Sequence, residues 1–144
     1  MTHEDAGHYA AKHPAGTVPE PAIAAAVRDR AEDGRLSCAR AHAVAAELAV
    51  PPAAVGAVVD LLELRLTHCQ LGLFGYRPRS KVLQAADAVP APLAAALRAA
   101  AAGGRISCAR CWETAEAFGL KRLAAAAACE RLGLKIKPCQ LGAF

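Results

Sequence analysis

The residues best able to do chemistry in this chain are a pair of cysteines, and the pair occurs twice. Gly34-Arg35-Leu36-Ser37-Cys38-Ala39-Arg40 returns as Gly104-Arg105-Ile106-Ser107-Cys108-Ala109-Arg110, and Cys69-Gln70-Leu71-Gly72 returns as Cys139-Gln140-Leu141-Gly142. Both motifs recur in one register, so that Cys108 stands to Cys38 as Cys139 stands to Cys69. Thiolates bind metals and attack electrophiles. Two facing pairs, Cys38 with Cys69 and Cys108 with Cys139, would supply four thiolates, enough for a structural zinc or an iron–sulfur cluster. His68, beside Cys69, and Cys111, one turn past Cys108, extend the candidate ligand set. The spacing also admits two other readings. Cys108-Ala109-Arg110-Cys111 is a C-x-x-C at a helix start, a setting that favours the thiolate and redox exchange. Cysteine also packs as a small hydrophobe, and a tight corner beside Gly72 would preserve it for that reason alone. Gln70 and Gln140 are expected to hydrogen-bond turn backbone.

Catalysis has no support in the residue pattern. A catalytic cysteine would need a base repeated with it, and His42 gives way to Trp112 in the second copy. The sequence contains no glycine-rich phosphate loop, nucleophile elbow or His-Glu-x-x-His pattern. A binding protein, not an enzyme, is expected.

The elements that must position the cysteines are mostly helices. Glu20-Pro21 opens a helix with Ile23, Val27 and Ala31 on one face, and Asp33-Gly34 ends it. Arg35-Leu36-Ser37 is a short extended piece, and Ser37 caps a second helix carrying Ala41, Val44, Ala45 and Leu48. Val50-Pro51-Pro52 turns the chain into a third helix with Val55, Val58, Val59 and Leu62 inward. Leu64 to His68 alternates as a half-buried strand, and Cys69 to Gly72 turns it back towards Leu73-Phe74. The second copy repeats the order, with Cys129 on its third helix's apolar stripe and Leu134-Lys135-Ile136-Lys137 as the strand. The expected organisation is a flexible leader over residues 1–18 with His3, His8 and His13, module 1 over 19–75, a linker over 76–89 and module 2 over 90–144.

Composition narrows the partners. The chain has 144 residues, 55% apolar but rich in alanine, with a net charge of +4 and 4% aromatic residues. Modules this small and alanine-rich are marginal alone. So few aromatics exclude a base-stacking platform, while the mild positive charge permits a polyanion. No apolar run is long enough to span a membrane and the N-terminal residues do not read as a secretion signal, so a cytoplasmic location is expected.

Helix, strand, helix, turn, helix, strand, turn is the order of a winged helix-turn-helix. Ala45-Ala46-Glu47-Leu48-Ala49-Val50-Pro51-Pro52-Ala53-Ala54-Val55 resembles that superfamily's line of a small residue, a leucine, a turn closing on valine and a further valine. Ala115-Glu116-Ala117-Phe118-Gly119-Leu120 through Ala125 is a looser counterpart. The resemblance implies a mainly α fold with small β-sheets, built as tandem winged-helix-like modules, and a DNA-associated regulator whose third helices face the major groove. Arg40, Arg110, Lys121, Arg122, Lys135 and Lys137 are the candidate phosphate contacts, with Arg35, Arg65 and Arg105 nearby. The outward positions of the first third helix, Ala53, Ala54, Gly56, Ala57 and Asp60, cannot make discriminating base contacts. A helix surfaced with such small residues instead suits close packing on another helix, in a partner protein or a second copy.

Overall fold

A computed structural model describes residues 7–144, and His3 lies outside them. The chain is mainly helical with two small parallel strand pairs. Its elements are α1 (Pro21–Arg30), β1 (Arg35–Ser37), α2 (Cys38–Leu48), α3 (Pro52–Leu61), β2 (Arg65–Thr67), α4 (Ala91–Ala100), β3 (Arg105–Ile106), α5 (Cys108–Ala117), α6 (Arg122–Leu132) and β4 (Lys135–Ile136). The starts of α4, β3, α5, α6 and β4 keep the register of the cysteine repeat against those of α1, β1, α2, α3 and β2. Among the described residues, no single helix is long and apolar enough to cross a membrane.

Local sequence sets these boundaries. Pro21 and Pro52 occupy first-turn positions where a missing N–H is harmless, and the Glu20 carboxylate accepts from the amides of Ala22 and Ile23. Ser37 accepts from the Arg40 amide at 3.2 Å and Ser107 from the Arg110 amide at 3.1 Å, so each serine turns a strand into a helix. Ser37→Ala or Ser107→Ala should each lower stability by about 1 kcal/mol in urea unfolding, the usual worth of such a cap. A change below about 0.3 kcal/mol at either site would show that the cap does not hold its helix.

The strands pair in parallel, with Leu36 beside Leu66 and Ile106 beside Ile136, all four buried. No third strand joins either pair among the described residues. The turn back towards Leu73-Phe74 therefore does not produce a returning strand, and β1 bonds β2 directly where a wing would otherwise intervene.

The chain divides into two compact units, and the division falls inside the repeated motif. Unit 1 is Met1–Cys69 with Gln140–Phe144, and unit 2 is Gln70–Cys139. Motif spacing places the boundaries elsewhere, at 75/76 and 89/90. The physical reason for the difference is burial: Leu71 and Leu141, at the centres of the two Gln-Leu-Gly segments, are 0% and 2% exposed. Each is held by the unit it closes. Unit 1 packs Ile23, Val27, Val44, Val55 and Val59 around Leu36 and Leu66. Unit 2 packs Leu93, Leu97, Ala125, Cys111 and Cys129 around Ile106 and Ile136.

Described parts of the segments expected to be leader and linker are docked strips. A 3-10 turn at Tyr9–Lys12 lies against α3, with Tyr9 3% exposed. In unit 2, Leu83 is buried, the Ala86 amide donates to the Ala127 carbonyl at 3.0 Å, and Lys81 pairs with Glu130 at 3.2 Å. Glu130 is the counterpart of Asp60 in the repeat register, and Lys81, one position out of that register, pairs with it as Lys12 pairs with Asp60 at 3.1 Å.

Candidate functional site

The cysteines sit where the strands feed the helices. Cys38 and Cys108 are the first residues of α2 and α5, and the Cys108 amide donates to the Pro138 carbonyl at 3.0 Å, beside Cys139. Cys38, Cys69 and Cys108 are buried, Cys139 is intermediate, and no disulfide links any of the six cysteines. Parallel pairing places the two members of each pair at the same end of their strands, as expected. Among the described residues, however, no three His, Cys, Asp or Glu side chains are grouped so as to hold a metal ion. Neither unit brings a third ligand to its pair. Within each unit the pair thus offers two thiols and no third ligand among the described residues, and Cys38, Cys69 and Cys108 are buried as corner-filling residues would be.

The third helices differ most from expectation. Asp60 is not outward but 2% exposed, and Gly56 is buried as well. Two strips of the chain's own backbone cover this face of α3. On one side, Lys12 Nζ and His13 Nε2 reach Asp60 Oδ2 at 3.1 and 2.9 Å. The Glu63 carboxylate accepts from the amides of Tyr9 at 2.9 Å and Ala10 at 2.7 Å. Glu63 holds the left-handed backbone (φ 55) that ends α3, with the Leu64 amide on the Val59 carbonyl, as Gly133 (φ 72) does at the end of α6. On the other side, a Cβ at Gly56 would lie 1.9 Å from the Leu141 carbonyl oxygen, so the closing segment runs directly over the glycine. Lys12 ties the two strips together by donating to the Gly142 carbonyl at 3.0 Å. α3 can therefore neither enter a major groove nor receive a partner helix on this face without unfolding its own cover.

In unit 2 the Gln70-Leu71-Gly72 segment plays the corresponding part. The Gly72 carbonyl accepts from the amides of Val82 and Leu83 at 2.9 and 3.0 Å. The Gln70 side-chain oxygen accepts from Arg122, a contact that reaches across unit 2 to the start of α6. Arg122 also lies over the Trp112 ring, 3.5 Å from its centroid, in a cation–π stack. Ala125, Ala126, Ala128 and Cys129 are buried, leaving Lys121, Arg122, Leu123 and Ala124 as the exposed start of α6. A cavity of about 500 Å³ in unit 2 is walled by Pro90, Leu93, Phe118, Leu120, Ala124 and other apolar residues. No titratable side chain lines it, so it supplies no acid or base.

The candidate phosphate contacts separate into two groups. Arg40 is engaged by Glu32 at 3.2 Å and by the Arg30 carbonyl at 3.0 Å, Arg110 by Glu113 at 3.4 Å, and Arg122 as described. Lys121, Lys135 and Lys137 are exposed and form no ion pair among the described residues. The strand register adds a feature that sequence spacing alone does not reveal. Arg35 stands directly beside Arg65, and Arg105 beside Lys135, so both ladders begin with a like-charged pair. None of those four side chains has an acidic partner among the described residues.

Comparison with protein-family models, with curated proteins and with solved structures finds no match to this chain. Its geometry and chemistry therefore carry the functional reading alone.

Proposed function

We propose that the chain is a non-enzymatic, DNA-associated regulator of the cytoplasm, made of two winged-helix-like modules without wings. It grips duplex DNA by its phosphates and does not read bases. The observation that carries this is the cation pair at the head of each ladder. Like charges directly opposite each other destabilise a strand pair. Both units keep that cost and no acid offsets it among the described residues. A phosphate bridging Arg105 and Lys135, or Arg35 and Arg65, removes the repulsion and gains charge-assisted hydrogen bonds. The covered face of α3 and the direct β1–β2 pairing explain why base readout is not part of the proposal. Exposed Lys121 and Lys137 extend the basic surface of unit 2.

Fluorescence anisotropy with labelled short duplexes of unrelated sequence tests this. Affinity should be alike for every sequence and fall with salt, with a log–log slope of about −0.9 per phosphate neutralised. Arg105→Glu with Lys135→Glu should weaken binding at least tenfold and flatten the slope by about 2. Undetectable binding at low salt, or binding indifferent to that double substitution, would overturn the proposal.

A further inference from the structure

Two cysteines outside the repeated pairs meet in the core of unit 2. Cys111 is on α5 and Cys129 on α6, and both are 0% exposed. The two helices pack directly on each other, and the Cys111 side chain is the neighbour that acts most strongly on the Cys129 thiol, through a hydrogen bond. The repeat shows that the fold does not require them. Laying unit 2 on unit 1 in the register that matches Cys108 to Cys38 puts Ala41 and Val59 at these two positions, and both are 0% exposed as well. Ala41 and Val59 fill the corresponding positions of α2 and α3 with no sulfur. A dithiol where the sister unit packs an inert pair is a chemical feature added to a fold that stands without it.

We propose that Cys111 and Cys129 form a reversible disulfide that fastens α5 to α6, with a hydroperoxide as the oxidant. Cys129 is the attacking thiol. The hydrogen bond from Cys111 holds its ionisation below the ordinary thiol value, with burial opposing and its backbone hydrogen bond acting in the same direction as Cys111. Its thiolate attacks one peroxide oxygen, the O–O bond breaks, and hydroxide leaves with the proton the thiol gave up, as water. Cys129 is then a sulfenic acid. The Cys111 sulfur attacks the Cys129 sulfur, the S–O bond breaks, and a second water departs. Two thiols and one peroxide become one disulfide and two waters, with two electrons passing from sulfur to oxygen. Hydrogen peroxide is little larger than water, so brief local openings of the α5–α6 contact admit it, whereas a bulky disulfide reagent would be kept out. The inference is independent of DNA binding.

The test oxidises the full-length reduced protein with hydrogen peroxide under native conditions. The sample is then quenched, unfolded in an alkylating agent and digested with trypsin. Cleavage after Arg110 and Arg122 puts Cys111 and Cys129 on different peptides and separates Cys108 from Cys111. The expected product joins peptides 111–121 and 123–131, is two hydrogens lighter than their sum, and is lost on reduction by dithiothreitol. The thermal midpoint should rise on oxidation and fall back on reduction. Cys111→Ala and Cys129→Val, the residues of the sister unit, should fold normally, give no crosslink and show no such rise. Complete alkylation of Cys111 and Cys129 after peroxide overturns the proposal. So does a crosslink confined to Cys108 and Cys139, or oxidation confined to the more exposed Cys139.

Discussion

Gly56→Ala should destabilise unit 1 by about 3 kcal/mol, the upper end of what overpacking costs. Alanine normally stabilises a helix interior relative to glycine by about 0.5–1 kcal/mol, and Gly56 lies within α3, so the expected sign is opposite to propensity. The cause is the Leu141 backbone. Its carbonyl oxygen, carbonyl carbon and Cα would lie 1.9, 2.6 and 3.0 Å from an added Cβ, and backbone cannot swing aside as a side chain can. The chain has two ways out, and both are expensive. It can push α3 and the closing segment apart, opening the packing around Val55 and Val59. Alternatively it can release the segment, exposing Leu141 and Ala143, now 2% and 3% exposed; the leucine alone is worth about 2 kcal/mol. The decisive comparison is with a chain ending at Cys139. There the obstacle is gone, and Gly56→Ala should stabilise by about 0.5–1 kcal/mol. A reversal of sign between the two backgrounds, read by urea unfolding, identifies the closing segment as the cause. The same destabilisation in both would refute this account of Gly56.

What is legible in the sequence depends on how local each signal is. Helices start where Pro21, Ser37, Pro52 and Ser107 announce them, because capping and first-turn proline act within a few residues. The strands show in Leu36, Leu66 and Ile136 alternating with charged or polar neighbours. The cover of α3 does not show. Asp60 occupies a position that helical periodicity assigns to solvent, and nothing adjacent in sequence says that Lys12 and His13 return to it. Gly56 marks a site of close approach, but the approaching partner is the chain's own residue Leu141. The unit boundary escapes the pattern for a related reason. The repeat shows where motifs recur, but not that Cys69 and Gln70 belong to different units. One further signal is present and easily misread. Cys111 and Cys129 both fall on inward helical faces, and the register of the repeat sets them against Ala41 and Val59. Compared as a pair, and not one residue at a time, that substitution brings the two thiols together.

Lys12→Ala combined with His13→Ala should cost about 2–3 kcal/mol. The substitutions leave the Asp60 carboxylate, 3% exposed, with no cation against Oδ2. Its Oδ1 already lacks a hydrogen-bond partner among the described residues, so no other contact makes up the loss. Removing the partner of a fully buried ion costs about 3–5 kcal/mol, and the figure is reduced here because Lys12 and His13 are 29% and 24% exposed and already partly screened by water. Each single substitution should cost well under half of the pair, since the remaining side chain still reaches the same oxygen. The discriminating variant adds Asp60→Leu to the double substitution. If a stranded charge is the cause, leucine removes it and fills the space, returning most of the lost stability. If the strip instead holds α3 mainly through Tyr9 and the Glu63 contacts, Asp60→Leu will restore nothing. Proteolysis supplies a second readout. Losing both side chains should speed cleavage between Gly7 and Val18, and Asp60→Leu should not reverse that, because the strip stays unanchored at this end. Stability would then recover while protection does not. A double substitution that changes neither by a measurable amount would mean that the strip is laid on α3 without being fastened to it.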